Sequence, residues 1–387
     1  MIEVNAPASE LTSRSVRIAQ EVAGPAAEDV DRSARFPTEA IDALREEGLM
    51  AALIPVEWGG GGASVGQVAQ VTSTLGRHCA STAMIYAMHQ SQVASLVRHG
   101  RSALLRDYLR QVAAEGLLLA SATTEAGIGG DVRSSICAVN LDAGRFRVEK
   151  NAPVISYGQN ADGILVTARR SPDSPASDQV LLLCRKGDFT LEQTTGWDTL
   201  GFRGTCSLGF RLTAEGDEQQ ILTDGYADIS SHTMLPVAHV LWASVWLGLS
   251  TAAADRARRF VRSIARKNPG TTPPSALHLA ELMALHQQMS DLVGSAANRF
   301  DRHADDTDAL SSMGFAIGMN ALKVSASTLV VDIVGRALSI CGIEGYREDS
   351  DISLGRYLRD AYGAALMVSN DRINGNNAQM LLVHKDD

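Results

Sequence analysis

The spacing of apolar residues changes twice along this chain, and that double change restricts its architecture more than any other feature. Most of the first hundred-odd residues follow a helical period. Between about Leu117 and Leu222 the period shortens: LLLASATTE is apolar and hydroxyl-rich, RFRVEKNAPVISYG and ADGILVTARR alternate or run apolar with β-branched residues, and DQVLLLCRK and CSLGFRLT follow between turn clusters. After that the helical period returns and holds almost to the end. A helix–sheet–helix order of this kind can place a ligand in the cleft where the layers meet. The expected fold is mainly α with a central β domain: an N-terminal helical domain (1–117), a β-barrel-like middle domain (118–228) and a C-terminal four-helix bundle (229–387).

Composition excludes several functions. The chain has 387 residues, 45% of them hydrophobic, enough for two or three packed domains. Lys plus Arg number 35 against 44 Asp plus Glu, a net charge of −9. Such a surface lacks the basic footprint that offsets nucleic-acid phosphates, and no basic run offers a membrane tether. Cys79, Cys137, Cys184, Cys206 and Cys341 are scattered with no CxxC, as expected of reduced core thiols in a cytoplasmic protein. The opening MIEVNAPASE is acidic and unlike a signal peptide. No zinc spacing, Walker loop or GxSxG elbow is present. Met234–Ala254 is apolar and about as long as a bilayer crossing. It contains Pro236 and His239 and runs on into DRARRFVRSIARK, so a buried bundle helix is expected there.

In chain order, helices are expected over Ser13–Arg32 and from Thr38 to Gly48, followed by IPVEWGGGGAS. The four glycines lack the spacing of a phosphate cradle and read as a loop leading into the next helix. Val65–Gly100 is helical with a break near HCAS, and Ser102–Ala114 is another helix. His89 lies in the apolar stretch MIYAMHQSQVASLV, where a histidine is either a satisfied core residue or a chemical group. Ser171–Ser177 reads as a hairpin tip. Four long helices are expected at about Ser231–Lys267, Ala276–Ala304, Leu310–Cys341 and Ile352–Leu382.

Four segments, in order and at matching spacings, resemble the acyl-CoA dehydrogenase superfamily over nearly the whole chain. FPTEAIDALREEGLMAALIPVEWGGGG is similar to its N-terminal signature, and ATTEAGIGGD to its TE-x-x-x-GSD flavin strand. NAPVISYGQNADGILVTAR stands where W-I-[ST]-N-x-x-x-AD would be. ALSICGIEGYREDSDISLGRYLRDA resembles Q-x-x-GG-x-GY…R-x-x-RDA. The resemblance implies FAD, a homodimer or dimer of dimers, and a small-molecule or acyl thioester substrate on CoA or a carrier protein. It also implies either an electron acceptor or a flavin reductase as partner.

By the same resemblance, Ser121, Thr123, Thr124, Gly129 and Gly130 border the flavin from one strand, and Val154, Ile155 and Ser156 from another. Arg266 and Gly342 would serve the pyrophosphate, Gly342 across a subunit boundary, and Asn370 would lie near the ring. Several positions depart from the family pattern. Pro269 and Ile343 replace a phenylalanine and a glycine, which weakens the adenine arm and implies a loosely held or reduced flavin. Val154 replaces a tryptophan over the ring. The usual catalytic glutamate is missing: its two known places fall on Val368 or Ser369 and on about Ala238, beside His239. Asp371 and His89 are the replacement bases to consider, since α-proton abstraction needs a general base. Three readings follow: a dehydrogenase of an acyl thioester, a flavin monooxygenase using reduced flavin and O2, and a redox-silent relative.

Overall fold

The computed structural model describes residues 8–129 and 133–384, and each change of period becomes a change of layer. The first layer is helical: α1 (Ala8–Ile18), α2 (Gly24–Arg32), α3 (Thr38–Glu46), α4 (Val65–Gly76), α5 (Ala80–His99) and α6 (Ala103–Glu115). The helix expected from Ser13 starts earlier, and a wide helical turn at Ala19–Ala23 joins α1 to α2. Gly48 stops α3 with φ 68°, a conformation that costs glycine little. The glycine run is no phosphate cradle. The N–H groups of Gly60, Gly61 and Gly62 donate to Pro55, Ala51 and Ile54, and a Cβ on Gly60 would strike Ile54. Ser64 then closes α4 with a capping box to Gln67. Helix α5 is buried on almost every side and forms the axis of this layer.

The middle layer is two open sheets packed face to face. One has the order β1 (Leu119–Ala122), β4 (Gly163–Arg169), β5 (Gln179–Arg185). The other has the order β2 (Asn140–Asp142), β3 (Arg145–Ile155), β7 (Leu208–Asp217), β6 (Phe189–Thr195). Alternation along β3 turns Phe146, Val148, Lys150 and Ala152 inward. Phe146, Val148 and Ala152 join a core with Val166, Leu182 and Cys184 of the other sheet. The expected Ser171–Ser177 tip connects β4 to its antiparallel partner β5.

The last layer starts at α7 (Tyr226–Ile229) and contains three long helices: α8 (Leu235–Lys267), α9 (Ser275–His303) and α11 (Met313–Cys341). Short helices α10 (Thr307–Ser311) and α12 (Ile343–Tyr346) lie between and after them. The segments Tyr226–Lys267 and Met313–Cys341 are long and apolar enough to cross a membrane, but 83% of the apolar window in the first is buried inside the protein. Helices α4 and α8 cross backbone to backbone. A Cβ on Gly76 would lie 2.7 Å from the Val245 carbonyl oxygen, and one on Gly248 would strike the Ser73 carbonyl.

The fourth long helix expected at Ile352–Leu382 does not form as one piece. It is split into α13 (Gly355–Gly363) and α14 (Asn370–Leu381), and Val368 in the connection takes φ 47°. Each half is tied separately to the β domain. The Phe202 N–H donates to the buried Asp360 carboxylate at 2.6 Å, and Arg372 donates to the Gly129 carbonyl at 2.6 Å. Burial pushes the Asp360 carboxyl up to about 6, against the pull of the Phe202 N–H.

Candidate active site

Strand β1 runs parallel to β4 and delivers Thr123 and Thr124 just past its end. Strand β3 arrives beside it, and a register shift between Ala152 and Ile155 re-aims the residues at its end. The Thr124 hydroxyl donates to the Val154 carbonyl at 3.1 Å, joining the two strand ends. Ser207 donates to the Ser156 hydroxyl at 2.8 Å and lies 2.8 Å from the Thr205 hydroxyl. Ser156 therefore receives a hydrogen bond and keeps its own proton for another acceptor. Ser121 and Thr123 are half-buried, and neither hydroxyl is paired among the described residues. Ser121, Thr123 and Ser156 thus keep hydroxyl protons that no other described residue takes up.

The backbone around this edge is strained. Tyr157, Phe202, Cys206 and Val368 are non-glycine residues with φ between 44° and 51°. Tyr157 is held there by its N–H to Thr205 at 2.8 Å and its hydroxyl to the Leu119 carbonyl at 3.0 Å. Such strain persists only where surrounding contacts enforce it, and it concentrates at functional sites.

Opposite the edge, the connection between α13 and α14 is pinned by a lysine that the sequence reading passed over. Lys323 is buried on α11 and donates to the Val368 carbonyl and to Asn370 Oδ1, both at 2.8 Å. Burial pulls its amine down to about 8. Its one sequence signal is a single charge within the apolar run MGFAIGMNALKVSASTLVV. The Asn370 amide donates to Ser327 at 3.0 Å, so both ends of that side chain are committed to the bundle. Asn370 thus shapes the connection.

Other expected residues fall in different places. His89 is a core residue: its Nδ1 accepts from the Leu119 N–H at 3.0 Å, and Nε2 donates to the Met50 carbonyl at 2.8 Å. Burial pulls its imidazole down to about 4, and with both nitrogens spent it cannot act as a base. Ile155 is fully buried in the sheet core and offers only its main chain, whereas Val154 is half-buried. Asp371 is exposed on the first turn of α14, outside the group formed by Asn370, Lys323 and Ser327. Arg266 is exposed in the last turn of α8, and Gly342 caps α11 with φ 58°. His239 approaches Met319, and Trp246 approaches Lys323, so α8 and α11 run parallel and bring both residues to one end of the bundle. Gly129 contributes its carbonyl to Arg372, and Gly130 lies outside the described residues.

Hydroxyls gathered where the ends of β1 and β3 meet suit the polar rim of an isoalloxazine ring, whose nitrogens and carbonyls need fixed donors. The residues present therefore fit a flavin. Ser121, Thr123 and Ser156 would meet its edge.

Comparisons with known proteins agree. The family model for the acyl-CoA dehydrogenase N-terminal domain matches residues 8–116, and that for the C-terminal domain matches residues 228–368. The chain is 26% identical over 325 residues to cyclohex-1-ene-1-carbonyl-CoA dehydrogenase of Syntrophus aciditrophicus, covering 83% of this chain and 77% of the relative. Its fold superimposes on FMN-bound TdsC from Paenibacillus sp. A11-2, a dibenzothiophene monooxygenase, with TM-score 0.86, 18% identity and coverage of 97% and 98%. It also superimposes on butyryl-CoA dehydrogenase from Megasphaera elsdenii, with TM-score 0.83, 18% identity and coverage of 99% and 100%. The two family matches, the helix–sheet–helix order and the hydroxyl-lined edge converge on one conclusion: the chain belongs to the acyl-CoA dehydrogenase family and is a flavin-dependent oxidoreductase.

Proposed function

We propose that this protein uses FAD to oxidise an acyl thioester, carried on CoA or a carrier protein, and passes the electrons to a separate acceptor. The observation that carries the reading is the edge of Ser121, Thr123 and Ser156, facing a bundle whose fourth helix is interrupted. When bound, the flavin supplies a hydride acceptor. The chain's own residues supply fixed donors to the ring edge, and the two packed layers exclude water. Arg266 and Gly342 would meet the pyrophosphate arm in an assembled dimer. The relative from Syntrophus aciditrophicus, named as a dehydrogenase of a CoA thioester, supports this choice.

A second reading, a monooxygenase working with a flavin reductase, is favoured by one specific feature. The places where the resemblance puts a glutamate hold Ala238, Val368 and Ser369; the buried groups beside them are His239 and Lys323, and the nearest carboxylate along the chain, Asp371, is exposed. The fold match to TdsC is compatible with either chemistry. Anaerobic mixing of the holoprotein with a panel of acyl-CoA thioesters separates the two. Bleaching of the oxidised flavin is expected for the dehydrogenase. No bleaching, together with isotope-labelled oxygen from O2 appearing in a product once a reductase is added, would transfer the protein to the second class.

A further inference from the structure

Arg256 on α8 and Arg356 on α13 both lie against the ring of Tyr357, their guanidinium carbons 4.3 and 4.8 Å from its centre. Arg256 donates to the Ala252 carbonyl at 3.3 Å, and its buried Nε has no acceptor among the described residues. Arg356 donates to the His78 carbonyl with two nitrogens, each at 3.3 Å, and to the Tyr357 hydroxyl at 3.1 Å. Among the described residues neither guanidinium is in a salt bridge, whereas Arg359 nearby is paired with both Asp31 and Glu348. A phenol ring attracts a cation more weakly than a carboxylate does. Burial pulls the Arg256 guanidinium below its ordinary value, and the charges of Arg356 and Arg259 add to that pull.

Both arginines line a cavity of about 730 Å³. Its walls come from all three layers: α2, the loop between β6 and β7, and α8 with α13. Small-molecule sites occur preferentially at such junctions. The lining charges are sorted by depth. Of the groups withdrawn from solvent, four are arginines (Arg203, Arg256, Arg356 and Arg359) and one is a carboxylate, Asp31. The exposed rim reverses that balance, with Glu28, Glu348, Asp349 and Asp351 against Arg32. Three of these rim acids already have an arginine each, namely Arg32, Arg359 and Arg347. The fourth, Asp351, is exposed, where solvent and salt screen its charge. Asp360 also acts on Arg356, but it lies outside the cavity lining and accepts the Phe202 N–H. The floor therefore holds positive charge that the chain itself leaves unanswered.

A carboxylate would bring one negative charge to such a floor. A phosphoryl group brings about 1.5 to 2, with three acceptor oxygens that a guanidinium fork can meet in pairs. We propose that this cavity binds a phosphoryl group on Arg256 and Arg356, either as free phosphate or as the head of a small phosphorylated metabolite. None of the hydroxyls of the candidate flavin site lines the cavity, so the proposal does not depend on the reaction assigned above. A ligand filling the space would touch all three layers and stabilise their packing.

The test titrates the holoprotein with inorganic phosphate, ribose 5-phosphate and acetate, in phosphate-free buffer at constant ionic strength, by calorimetry. Saturable binding of a phosphoryl compound is expected, at least about tenfold tighter than acetate and with a raised melting temperature. Tighter binding of inorganic phosphate assigns the site to the free anion, and tighter binding of ribose 5-phosphate to a metabolite head. Arg256→Gln should weaken that binding at least about tenfold while flavin content stays the same. Arg256→Lys keeps the charge and loses the fork, so it should weaken binding less. The absence of saturable binding overturns the proposal, as does an affinity no better than that of acetate. Binding undiminished in both variants places the anion elsewhere and overturns it too.

Discussion

Lys150 and Lys323 are both fully buried, and the difference between them lies in what faces each. Lys150 lies 3.3 Å from Glu125 and donates to the Thr167 carbonyl at 2.7 Å and its hydroxyl at 3.0 Å. Glu125 in turn accepts from the Ser135 hydroxyl and from the N–H groups of Ile136 and Cys137. Its carboxyl is held below the usual range because Lys150 and these donors outweigh its burial. Replacing Lys150 by Met strands that carboxylate in the core, a change that typically costs about 3–5 kcal/mol. Chemical denaturation of Lys150→Met should show a loss of that order. A loss near zero would mean that the carboxylate is satisfied without its lysine. The inward place of Lys150 was readable from the strand alternation of Phe146, Val148, Lys150 and Ala152. The role of Lys323 was not, since its partners Val368 and Asn370 are more than forty residues away along the chain. His89 shows a different limit: periodicity gave its helix, and only the positions of Met50 and Leu119 show that both its nitrogens are occupied.

Among the elements, the contact between α4 and α8 is set by two glycines that allow the backbones to touch. Gly248→Ala would press a methyl into the Ser73 carbonyl, which neither helix can move without disturbing its own ladder. Overpacking of this kind costs about 1–3 kcal/mol, so a lowered melting temperature is expected by calorimetry. An unchanged melting temperature would mean that the two helices separate more easily than the contact implies. The sequence carried the other helices well because caps and periods are local, as at Ser64 and Gly48. It failed at the fourth bundle helix. LRDAYGAALMVSNDRINGNN has no proline, but its Ser369-Asn370-Asp371 cluster is a turn signal that a single expected helix passed over. The tertiary ties of Asp360 to Phe202 and of Arg372 to Gly129 fix each half separately.

For the whole molecule, the order of layers was legible because a change from helical to strand period cannot be hidden within one layer. Assembly is less visible in a single chain, but the surface bears on it. Ile343 is 68% exposed and Tyr346 72%, both just past the end of α11 near Gly342. In the Met313–Cys341 helix only 44% of the apolar window is buried. Light scattering should return a mass of two or four chains, and Ile343→Arg should shift the population toward smaller species and lower flavin occupancy. A monodisperse single chain that retains its flavin would refute both expectations.

The gap between α13 and α14 bears on how such a protein can diversify. A short stretch of non-helical backbone, anchored by one amine and one amide, lies beside the proposed flavin site while the long helices around it carry the mechanical load. Substitutions there can redraw what the cleft admits, or which atom gives up a proton, without disturbing the scaffold. One architecture can in this way serve chemistries as different as removing hydrogen and adding oxygen.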